Sequence, residues 1–365
     1  MEFDLVIVGG GLASARAIKS FREAGGEGSI ALVSADADPP YHRPPLSKRY
    51  LRGEAERDSV FVEPPEFYED VTVLLGRTAG GLADGEIELD DGRRLRYGKL
   101  LVATGATPRR LGIPGGERIL YLRTLADSGR IKEAAAGAAT AVVAGAGFIG
   151  MEVTASLTQL GVKVSQVHLG RGLFDQFRSE ELSSRLAALY REKGVELVLE
   201  DAFDRLEDGE VVTTAGRRLP ADLVVAGVGV VPSTGWLEGS GVEVDDGIVV
   251  NQRFETTVAG VHAAGDVARF FDPLFARHRR IEHWSNANYQ GTEVGKVLAG
   301  AGSGYDTVSA FFTEVFGITI RVLGEVTDDL RGTRYHEDGR VVGALLVDPS
   351  DEEQAAAKDE IRSAR

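Results

Sequence analysis

Short apolar runs alternate with longer Ala-rich stretches along most of the chain. Leu5–Val8, Val142–Ala144 and Leu223–Ala226 are apolar at every position, which is typical of strands buried on both faces of a parallel sheet. The Ala-rich stretches carry helical patterns, and strands that alternate with helices indicate βαβ units. The pattern therefore predicts an α/β fold with mainly parallel sheets.

Other elements depart from this alternation. Turn dipeptides flanked by strand-like sequence predict three β-hairpins, at Asp91–Gly92, Asp208–Gly209 and Asp338–Gly339. From about residue 305 onward, antiparallel strands and a last helix are predicted at Ile318–Val326, Gly332–His336, Val341–Val347 and Asp351–Arg362. The chain is therefore predicted to end in a small α+β domain.

A unit of strand, glycine-rich loop, helix and second strand spans residues 3–34 and occurs again further on. In the first copy, Gly9 allows a tight turn, and Gly11 lets a pyrophosphate approach the backbone at the helix N-terminus. Ser14 stands where a small residue is needed for the helix to pack on the strand. Asp36 follows the second strand, where a carboxylate can accept hydrogen bonds from an adenosine ribose. These features predict a dinucleotide site.

The second copy, at residues 140–168, predicts a second dinucleotide site. Its glycines, between the strand and the helix, are Gly145, Gly147 and Gly150. The second strand should end at His168, with Arg171 three residues later. An acidic residue there would favour NADH, whereas a basic environment accommodates the 2′-phosphate of NADPH. These two residues favour NADPH or no preference; the alternative is that both are solvated loop residues.

Composition argues against a membrane-spanning protein, a nucleic-acid-binding protein and a metalloprotein. The chain has 365 residues, enough for two or three domains, and no apolar run long enough to predict a transmembrane helix. Its formal net charge of −15 argues against general nucleic-acid binding. No basic signal-peptide start is present, so a cytoplasmic protein is expected. With no cysteine and six scattered histidines, no metal is expected.

Seven segments follow one another in an order that resembles a known family. They are PPYHRPPLSK (39–48), LVATGA (101–106), YLRT (121–124), GME (150–152), GVGVVP (227–232), AAGDV (263–267) and EHWSNA (282–287). As a set they resemble the FAD- and NAD(P)H-dependent ferredoxin reductases of the putidaredoxin and rubredoxin reductase type. Apoptosis-inducing factor and monodehydroascorbate reductase share them in part, and the resemblance covers residues 3–300.

The resemblance implies an α/β fold with two Rossmann-like dinucleotide-binding domains, one for FAD and one for NADH or NADPH, and a small α+β C-terminal domain. The NAD(P)H-binding domain is inserted into the FAD-binding domain. The implied boundaries are 1–110 and 236–304 for FAD, 111–235 for NAD(P)H, and 305–365 for the C-terminal domain. In that last domain, FFTEVFG at 311–317 departs from the usual Phe-Trp-Ser-Asp. This segment is more similar to the version found in apoptosis-inducing factor and monodehydroascorbate reductase.

The resemblance also implies which residues bind the cofactors. The FAD candidates are Gly9, Gly11, Ser14, Asp36, Arg43, Pro44, Lys48, Thr104, Gly105, Arg123, Gly265, Asp266 and Trp284. The NAD(P)H candidates are Gly145, Gly147, Phe148, Ile149, Gly150, Glu152, His168, Arg171 and Gly229. Among them, Asp266 is expected to accept a hydrogen bond from a ribityl hydroxyl of FAD.

Lys48, Glu152 and Trp284 are the candidates for a part in hydride transfer. The resemblance places Lys48 beside the isoalloxazine and Glu152 where the nicotinamide arrives. We expect an ion pair between them near flavin N5, because a cation there stabilises the anionic reduced flavin and pairing offsets the desolvation of both charges. Trp284 is expected to position the rings. The alternatives are a surface lysine and an ordinary core aromatic.

The missing cysteine excludes the thiol routes that glutathione-reductase-like relatives use, so electrons must leave the flavin directly. The predicted function is transfer of hydride from NAD(P)H to FAD and of electrons to a [2Fe–2S] ferredoxin-like protein, within an oxygenase system. Two alternatives stay open. One is reduction of a small acceptor such as a quinone, and the other is redox sensing like that of apoptosis-inducing factor.

A basic docking patch is expected for an acidic ferredoxin. Its members would be Arg277–Arg280 (RHRR) together with Lys48, Arg49 and Arg52. The alternative is that the basic run is a solvated loop. The oligomeric state is expected to be a monomer or a homodimer.

Overall fold

The computed structural model describes residues 1–364, which form two compact units. The first unit consists of Met1–His42, Val60–Thr107 and Val231–Ser309. The second consists of Arg43–Ser59, Pro108–Val230 and the residues from Ala310 onward.

Within residues 1–364 there are six α-helices. They are α1 (Leu12–Glu23), α2 (Leu125–Gly137), α3 (Phe148–Gln159), α4 (Glu180–Glu192), α5 (Trp284–Leu298) and α6 (Asp351–Ser363). Short 3-10 helices lie at Pro44–Ser47, Arg57–Val60, Pro65–Tyr68, Gly116–Arg118, Asp175–Phe177 and Gly235–Leu237. None of the helices in this part of the chain is long and apolar enough to span a membrane.

The main sheet of the first unit has a parallel core and an antiparallel edge. Its strands, in spatial order, are Val71–Leu75, Ile30–Ser34, Glu2–Val8, Arg94–Val102, Glu86–Leu89 and Ala79–Ala83, and Val261–Ala263 also pairs with Arg94–Val102. A smaller sheet contains Ile248–Val250, Ala268–Asp272 and Arg277–Arg280. The strand Glu2–Val8 is buried from Leu5 onward and leads directly into the first glycine loop.

Helices α1 and α5 of the first unit pack at very short range. A Cβ atom on Gly291 would lie 2.4 Å from the carbonyl oxygen of Ala13, and one on Gly295 would lie 2.4 Å from that of Ala17. Because each contact is with backbone, only glycine fits at either position. This close packing holds the middle and the C-terminal half of α5 against α1.

The second unit is built on a five-stranded parallel sheet. Its strands, in spatial order, are Glu196–Leu199, Lys163–His168, Thr140–Ala144, Leu223–Ala226 and Leu120–Tyr121. Phe203–Glu207, Glu210–Thr213 and Arg218–Pro220 form a small antiparallel sheet.

The C-terminal part forms an antiparallel sheet with α6 packed against it. Its strands, in spatial order, are Ala310–Val315, Ile318–Gly324, Arg340–Val347, Arg334–Glu337 and Asp329–Arg331. The predicted antiparallel strands and last helix are confirmed, and so are the three hairpins. The strands Ala310–Val315 and Asp329–Arg331 were not predicted, because each falls in a segment with no clear alternation.

The α/β fold class is confirmed, since both glycine loops follow buried parallel strands. Residues 43–59 lie in the second unit, although their place in the sequence assigned them to the first nucleotide-binding domain. Polar bonds account for this: Ser128 Oγ donates to the carbonyl of Leu46 at 2.6 Å, and Ser156 Oγ donates to that of Ser47 at 2.7 Å. The finer division into three domains stays a prediction.

Candidate functional site

The first glycine loop has the close approaches expected of a nucleotide-binding turn. Gly9 has φ +121°, and a Cβ there would lie 2.1 Å from the carbonyl oxygen of Ala103. Ser14 stands at the third position of the loop pattern, where glycine or alanine is usual. It is fully buried, and its hydroxyl donates to the carbonyl of Gly9 at 2.5 Å. The serine therefore closes the loop on itself while keeping the helix close to the strand.

Two carboxylates lie in the first unit with this loop. Asp36 is half-buried after the strand Ile30–Ser34, and one of its carboxylate oxygens accepts a hydrogen bond from the hydroxyl of Tyr41. Asp266 follows Gly265, whose φ is +80° and whose Cβ, if it had one, would lie 3.2 Å from that of Ala13 in the first turn of α1. The chain at Asp266 thus runs beside the N-terminus of α1.

The second loop repeats the close packing of the first. A Cβ on Gly145 would lie 2.3 Å from the carbonyl oxygen of Gly227, and one on Gly150 would lie 2.2 Å from that of Gly145. Gly147 differs from both, because its nearest neighbour would be Gln176 Nε2 at 3.8 Å. Gly229 has open space around it. Two glycines are therefore needed by the fold, and two leave room for a ligand.

The helix N-termini test whether phosphates fit at the two loops. Of the six α-helices in the described chain, α2, α4, α5 and α6 begin with a side-chain cap on a backbone N–H. The N-cap residues of α1 and α3 are Gly11 and Gly147, which supply no side-chain cap, and neither helix has an acidic residue in its first turn. Their N–H groups and positive dipole ends are therefore open to an anion, so both loops fit the pyrophosphate of a dinucleotide.

The two basic residues that favoured NADPH each have an acidic partner. The strand Lys163–His168 ends at the predicted residue, and His168 Nε2 lies 3.2 Å from Asp175 Oδ2. Arg171 Nε lies 3.0 Å from Glu200 Oε1, and both side chains are well exposed. Because the Arg171 cation is paired with a carboxylate and the His168 ring faces a second one, the charge that would attract a 2′-phosphate is largely cancelled. This arrangement favours weak discrimination between the two coenzymes.

Removing one of these carboxylates should change the coenzyme preference. Glu200→Gln leaves Arg171 without its partner, so kcat/KM for NADPH relative to NADH is expected to rise about fivefold, or about 1 kcal/mol. Steady-state kinetics with both coenzymes measures the ratio. The double variant Glu200→Gln/Arg171→Gln is the control and should lose the gain. An unchanged ratio in Glu200→Gln would exclude Arg171 from 2′-phosphate binding.

The predicted ion pair between Lys48 and Glu152 is present. Lys48 Nζ lies 2.6 Å from Glu152 Oε1, and the two side chains are only 14% and 6% exposed. Glu152 lies on α3, the helix that begins at the second glycine loop, and Lys48 follows the short helix Pro44–Ser47. Ser47 Oγ and Thr313 Oγ1 also donate to the carboxylate, the second at 2.7 Å. The pair is therefore buried, and both carboxylate oxygens accept hydrogen bonds, which helps a buried ion pair to persist.

Arg52 belongs to the same segment as Lys48 and is held in the same way. Its guanidinium forms a bidentate pair with Glu54 at 2.7 Å and donates to Ser156 Oγ on α3 at 3.3 Å. Ser156 in turn donates to the carbonyl of Ser47. These bonds fix the backbone that carries Lys48 along about one turn of α3, from Glu152 to Ser156.

Trp284 has a specific polar partner in the first unit. Its Nε1–H donates to Nδ1 of His42 at 3.0 Å, and His42 is part of the PPYHRPPLSK segment. Trp284 is half-buried and is the first residue of α5. Burial lowers the pKa of His42, and the charge of Arg16 lowers it further. His42 is therefore neutral at pH 7 and able to accept the bond from Trp284.

Stability should depend on the protonation of His42. Because its pKa is lowered in the folded protein, the unfolded chain binds a proton first as the pH falls through about 6.5. The free energy of unfolding in urea is therefore expected to decrease below that pH. His42→Gln keeps an acceptor that does not titrate, so its decrease should be smaller, while exposed His278→Gln should follow the wild type. Equal pH dependence in wild type and His42→Gln would contradict this role.

The other predicted cofactor residues have structural contacts as well. Arg43 Nε donates to the carbonyl of Arg123 at 3.2 Å, and Pro44 accepts from Lys48 Nζ at 3.3 Å. Thr104 Oγ1 donates to the carbonyl of Ser233 at 2.9 Å, beside Gly105, whose φ is +66°. Phe148 contacts Phe174 and Phe177 edge to face, and Ile149 is half-buried. Their roles toward FAD and NAD(P)H stay predictions.

The expected docking patch at residues 277–280 is not available as a whole. Arg279 is 11% exposed and pairs with fully buried Asp272 at 2.7 Å. Arg280 pairs with both Asp246 and Glu282. Burial raises the pKa of Asp272 and lowers that of Arg279, so this pair is held in a desolvated environment. The part of the patch that rested on Arg279 and Arg280 is therefore wrong.

Several of these partners were not found from the sequence. Tyr41, Ser47 and Thr313 each bond to a predicted site residue, and Asp175 and Glu200 neutralise the basic pair. Ser47 could have been chosen as the neighbour of Lys48. Thr313 could not, because 161 residues separate it from Glu152.

Two parallel-sheet units, each with an uncapped helix N-terminus after a glycine loop, define a protein with two dinucleotide-binding sites. The chain belongs to the pyridine nucleotide-disulphide oxidoreductase family, whose sequence profile matches residues 3–291. FAD and NAD(P)H are its cofactors. The chain has no cysteine, so the disulphide chemistry in the family's description has no residues here to carry it.

Individual relatives narrow the class within this family. The chain is 33% identical to putidaredoxin reductase of Pseudomonas putida over 337 residues, which cover 88% of the chain and 80% of the relative. It is 33% identical over 352 residues to the ferredoxin–NAD(+) reductase component of the p-cumate 2,3-dioxygenase system of Pseudomonas putida, covering 94% and 87%. The solved covalent putidaredoxin reductase–putidaredoxin complex is similar with a TM-score of 0.91 at 29% identity, covering 98% and 93%. The chain is thus an FAD-dependent NAD(P)H oxidoreductase of the ferredoxin reductase type.

Proposed function

We propose that this protein transfers hydride from NAD(P)H to FAD and passes the electrons to a [2Fe–2S] ferredoxin-like protein of an oxygenase system. The observation that carries the proposal is the buried Lys48–Glu152 pair on the helix that begins at the second glycine loop. Relatives named as ferredoxin reductases of oxygenase systems support the choice of acceptor. We place the reaction in the cytoplasm.

The residues divide the work of binding between the two units. The N–H groups at the start of α1 bind the FAD pyrophosphate, Asp36 binds the adenosine ribose, and Asp266 binds a ribityl hydroxyl. The N–H groups at the start of α3 bind the NAD(P)H pyrophosphate. When bound, the cofactors supply hydride transfer and single-electron release, and the chain orients them and tunes the flavin.

Lys48 is the residue that we place at the flavin ring. Its ammonium group stabilises the negative charge that the flavin gains on reduction, and Glu152 holds that ammonium group in place. No side-chain nucleophile or general acid is needed for the hydride step. Electrons leave the flavin directly, because the chain has no cysteine to receive them.

The acceptor is tested by comparing reduction of cytochrome c with and without an added [2Fe–2S] ferredoxin. We expect rapid reduction by NAD(P)H only when the ferredoxin is present. Fast turnover with a quinone and none through the ferredoxin would replace this acceptor with a small molecule. Slow turnover with every acceptor, together with a long-lived flavin–nicotinamide charge-transfer band, would instead indicate redox sensing.

We infer that Arg49, a member of the predicted patch, and Lys132 form the docking surface in place of Arg279 and Arg280. Arg49 is exposed next to Lys48 in sequence, and Lys132 Nζ lies 5.3 Å from the ring centre of Tyr50. Neither Arg49 nor Lys132 forms an ion pair within residues 1–364. Their charges are therefore available to an acidic partner, unlike those of Arg279 and Arg280.

Reversing these two charges should weaken docking. Arg49→Glu/Lys132→Glu is expected to raise the KM for ferredoxin about tenfold at low ionic strength, because steering by exposed charges acts on association. The difference from wild type should shrink as salt is added, and flavin reduction by NAD(P)H should not change. Arg217→Glu/Lys163→Glu, which reverses two exposed charges elsewhere in the second unit, is the charge-matched control. Equal KM values in all three proteins would rule out this surface.

A further inference from the structure

Thr313 connects the C-terminal sheet to the buried ion pair. It lies on the strand Ala310–Val315, is fully buried, and donates from Oγ1 to Glu152 Oε1 at 2.7 Å. Lys48 Nζ lies 2.6 Å from the same oxygen. One carboxylate oxygen therefore joins a residue of the C-terminal sheet to the cation that we place at the flavin.

The carboxylate of Glu152 has little freedom to move. Its second oxygen, Oε2, accepts a hydrogen bond from Ser47 Oγ. Ser47 and Thr313 thus hold the two oxygens from opposite segments, and Lys48 is bound at the oxygen that Thr313 orients. Charge-assisted bonds of this kind are stronger and more directional than neutral ones.

A second contact holds the same strand to α3. Phe316, at the turn after Ala310–Val315, lies with its ring centre 4.9 Å from that of fully buried Tyr190. The Tyr190 hydroxyl donates to the carbonyl of Met151 at 2.9 Å, one residue before Glu152. The backbone at Glu152 and its side chain are therefore both fixed by contacts that lead to this strand. Threonine also has few side-chain rotamers, so its donor direction is well defined.

We propose that Thr313 is a positioning residue for hydride transfer, which sets the place of Lys48 through the Glu152 carboxylate. This inference rests on the proposed function, in which Lys48 lies at the flavin. In this view the C-terminal sheet helps to determine the reduction potential of the flavin. A variant that lacks the hydroxyl leaves Glu152 free to turn, and Lys48 then stabilises the reduced flavin less well.

The test compares Thr313→Val, which removes the hydroxyl at nearly constant volume, with Thr313→Ser, which keeps it. In the FAD-loaded protein, Thr313→Val is expected to slow flavin reduction about tenfold, as for loss of one hydrogen bond to a charged group. The FAD midpoint potential, measured by equilibrium titration against a reference dye, should shift to a more negative value. Thr313→Ser should restore both quantities. Thr319→Val, on the neighbouring strand, is the control and should behave as wild type.

A double-variant cycle separates this inference from the function on which it rests. If Thr313 acts through Lys48, Thr313→Val should have no further effect on rate or potential when Lys48→Met is already present. Wild-type rate and potential in Thr313→Val, with slow reduction in Lys48→Met, would overturn the role of Thr313 and leave the proposed function in place. Equal slowing by Thr313→Val in both backgrounds would also overturn it, because the residue would then act without Lys48. Unchanged reduction in Lys48→Met would overturn both.

Discussion

Replacing Lys48 with methionine is expected to slow flavin reduction by NAD(P)H about a hundredfold, the usual cost of removing a preorganised charge from a reaction site. Methionine keeps most of the volume of the lysine side chain and removes its charge. The rate is measured by stopped-flow absorbance of the flavin, with each coenzyme at saturation. The slowing should appear in the maximum rate more than in coenzyme affinity, because the charge acts on the product of hydride transfer.

The same substitution should also destabilise the protein. Glu152 is 6% exposed on its side chain, so Lys48→Met leaves a buried carboxylate without its cation. The expected loss is about 3 kcal/mol in the free energy of unfolding. A slow rate could then come from partial unfolding rather than from the missing charge at the flavin.

Lys48→Met/Glu152→Gln separates the two effects. The amide of glutamine removes the buried charge and can still bond to Ser47 and Thr313, so most of the stability should return. Flavin reduction should stay slow, because the cation is still absent. A double variant with wild-type rate would show that Lys48 stabilises the fold and has no part in hydride transfer.

The features that sequence reasoning predicted depend on local rules or on complete motifs. The glycine loops could be predicted because a tight turn and an open helix N-terminus require glycine at fixed spacing after a buried strand, as at Gly9 and Gly145. The Lys48–Glu152 pair spans about a hundred residues, and only the resemblance, not any local pattern, brought its members together.

The features that it did not predict depend on pairing between distant segments. Trp284 bonds to His42 across 242 residues, and no local pattern in either segment selects the other as its partner. The basic run at 277–280 illustrates a different failure. Asp272 and Arg277 are opposite each other in a hairpin, which brings Asp272 within reach of Arg279 and buries the pair. The run of basic residues was interpreted as an exposed docking surface, although Arg279 forms an ion pair with the buried carboxylate of Asp272.

The second large effect concerns two glycines of the same loop that have different surroundings. A Cβ on Gly150 would lie 2.2 Å from the backbone oxygen of Gly145, and neither atom can move without opening the loop. Gly150→Ala is therefore expected to lower the free energy of unfolding by about 3 kcal/mol, the upper range for an overpacked site. Urea denaturation of the FAD-loaded protein measures this loss.

Gly147→Ala is expected to weaken coenzyme binding and to leave the stability of the protein nearly unchanged. Gly147 has φ −87°, which alanine adopts freely, and beyond the adjacent residues its new methyl group would have Gln176 Nε2 as its nearest neighbour, at 3.8 Å. Stability should therefore change by about 1 kcal/mol or less. The methyl group would stand where the pyrophosphate approaches α3, so the Kd for NAD(P)H should rise about thirtyfold, equivalent to about 2 kcal/mol. If Gly147→Ala bound the coenzyme normally, the space at this glycine would not be the pyrophosphate site, and the assignment of NAD(P)H to the second loop would have to be revised.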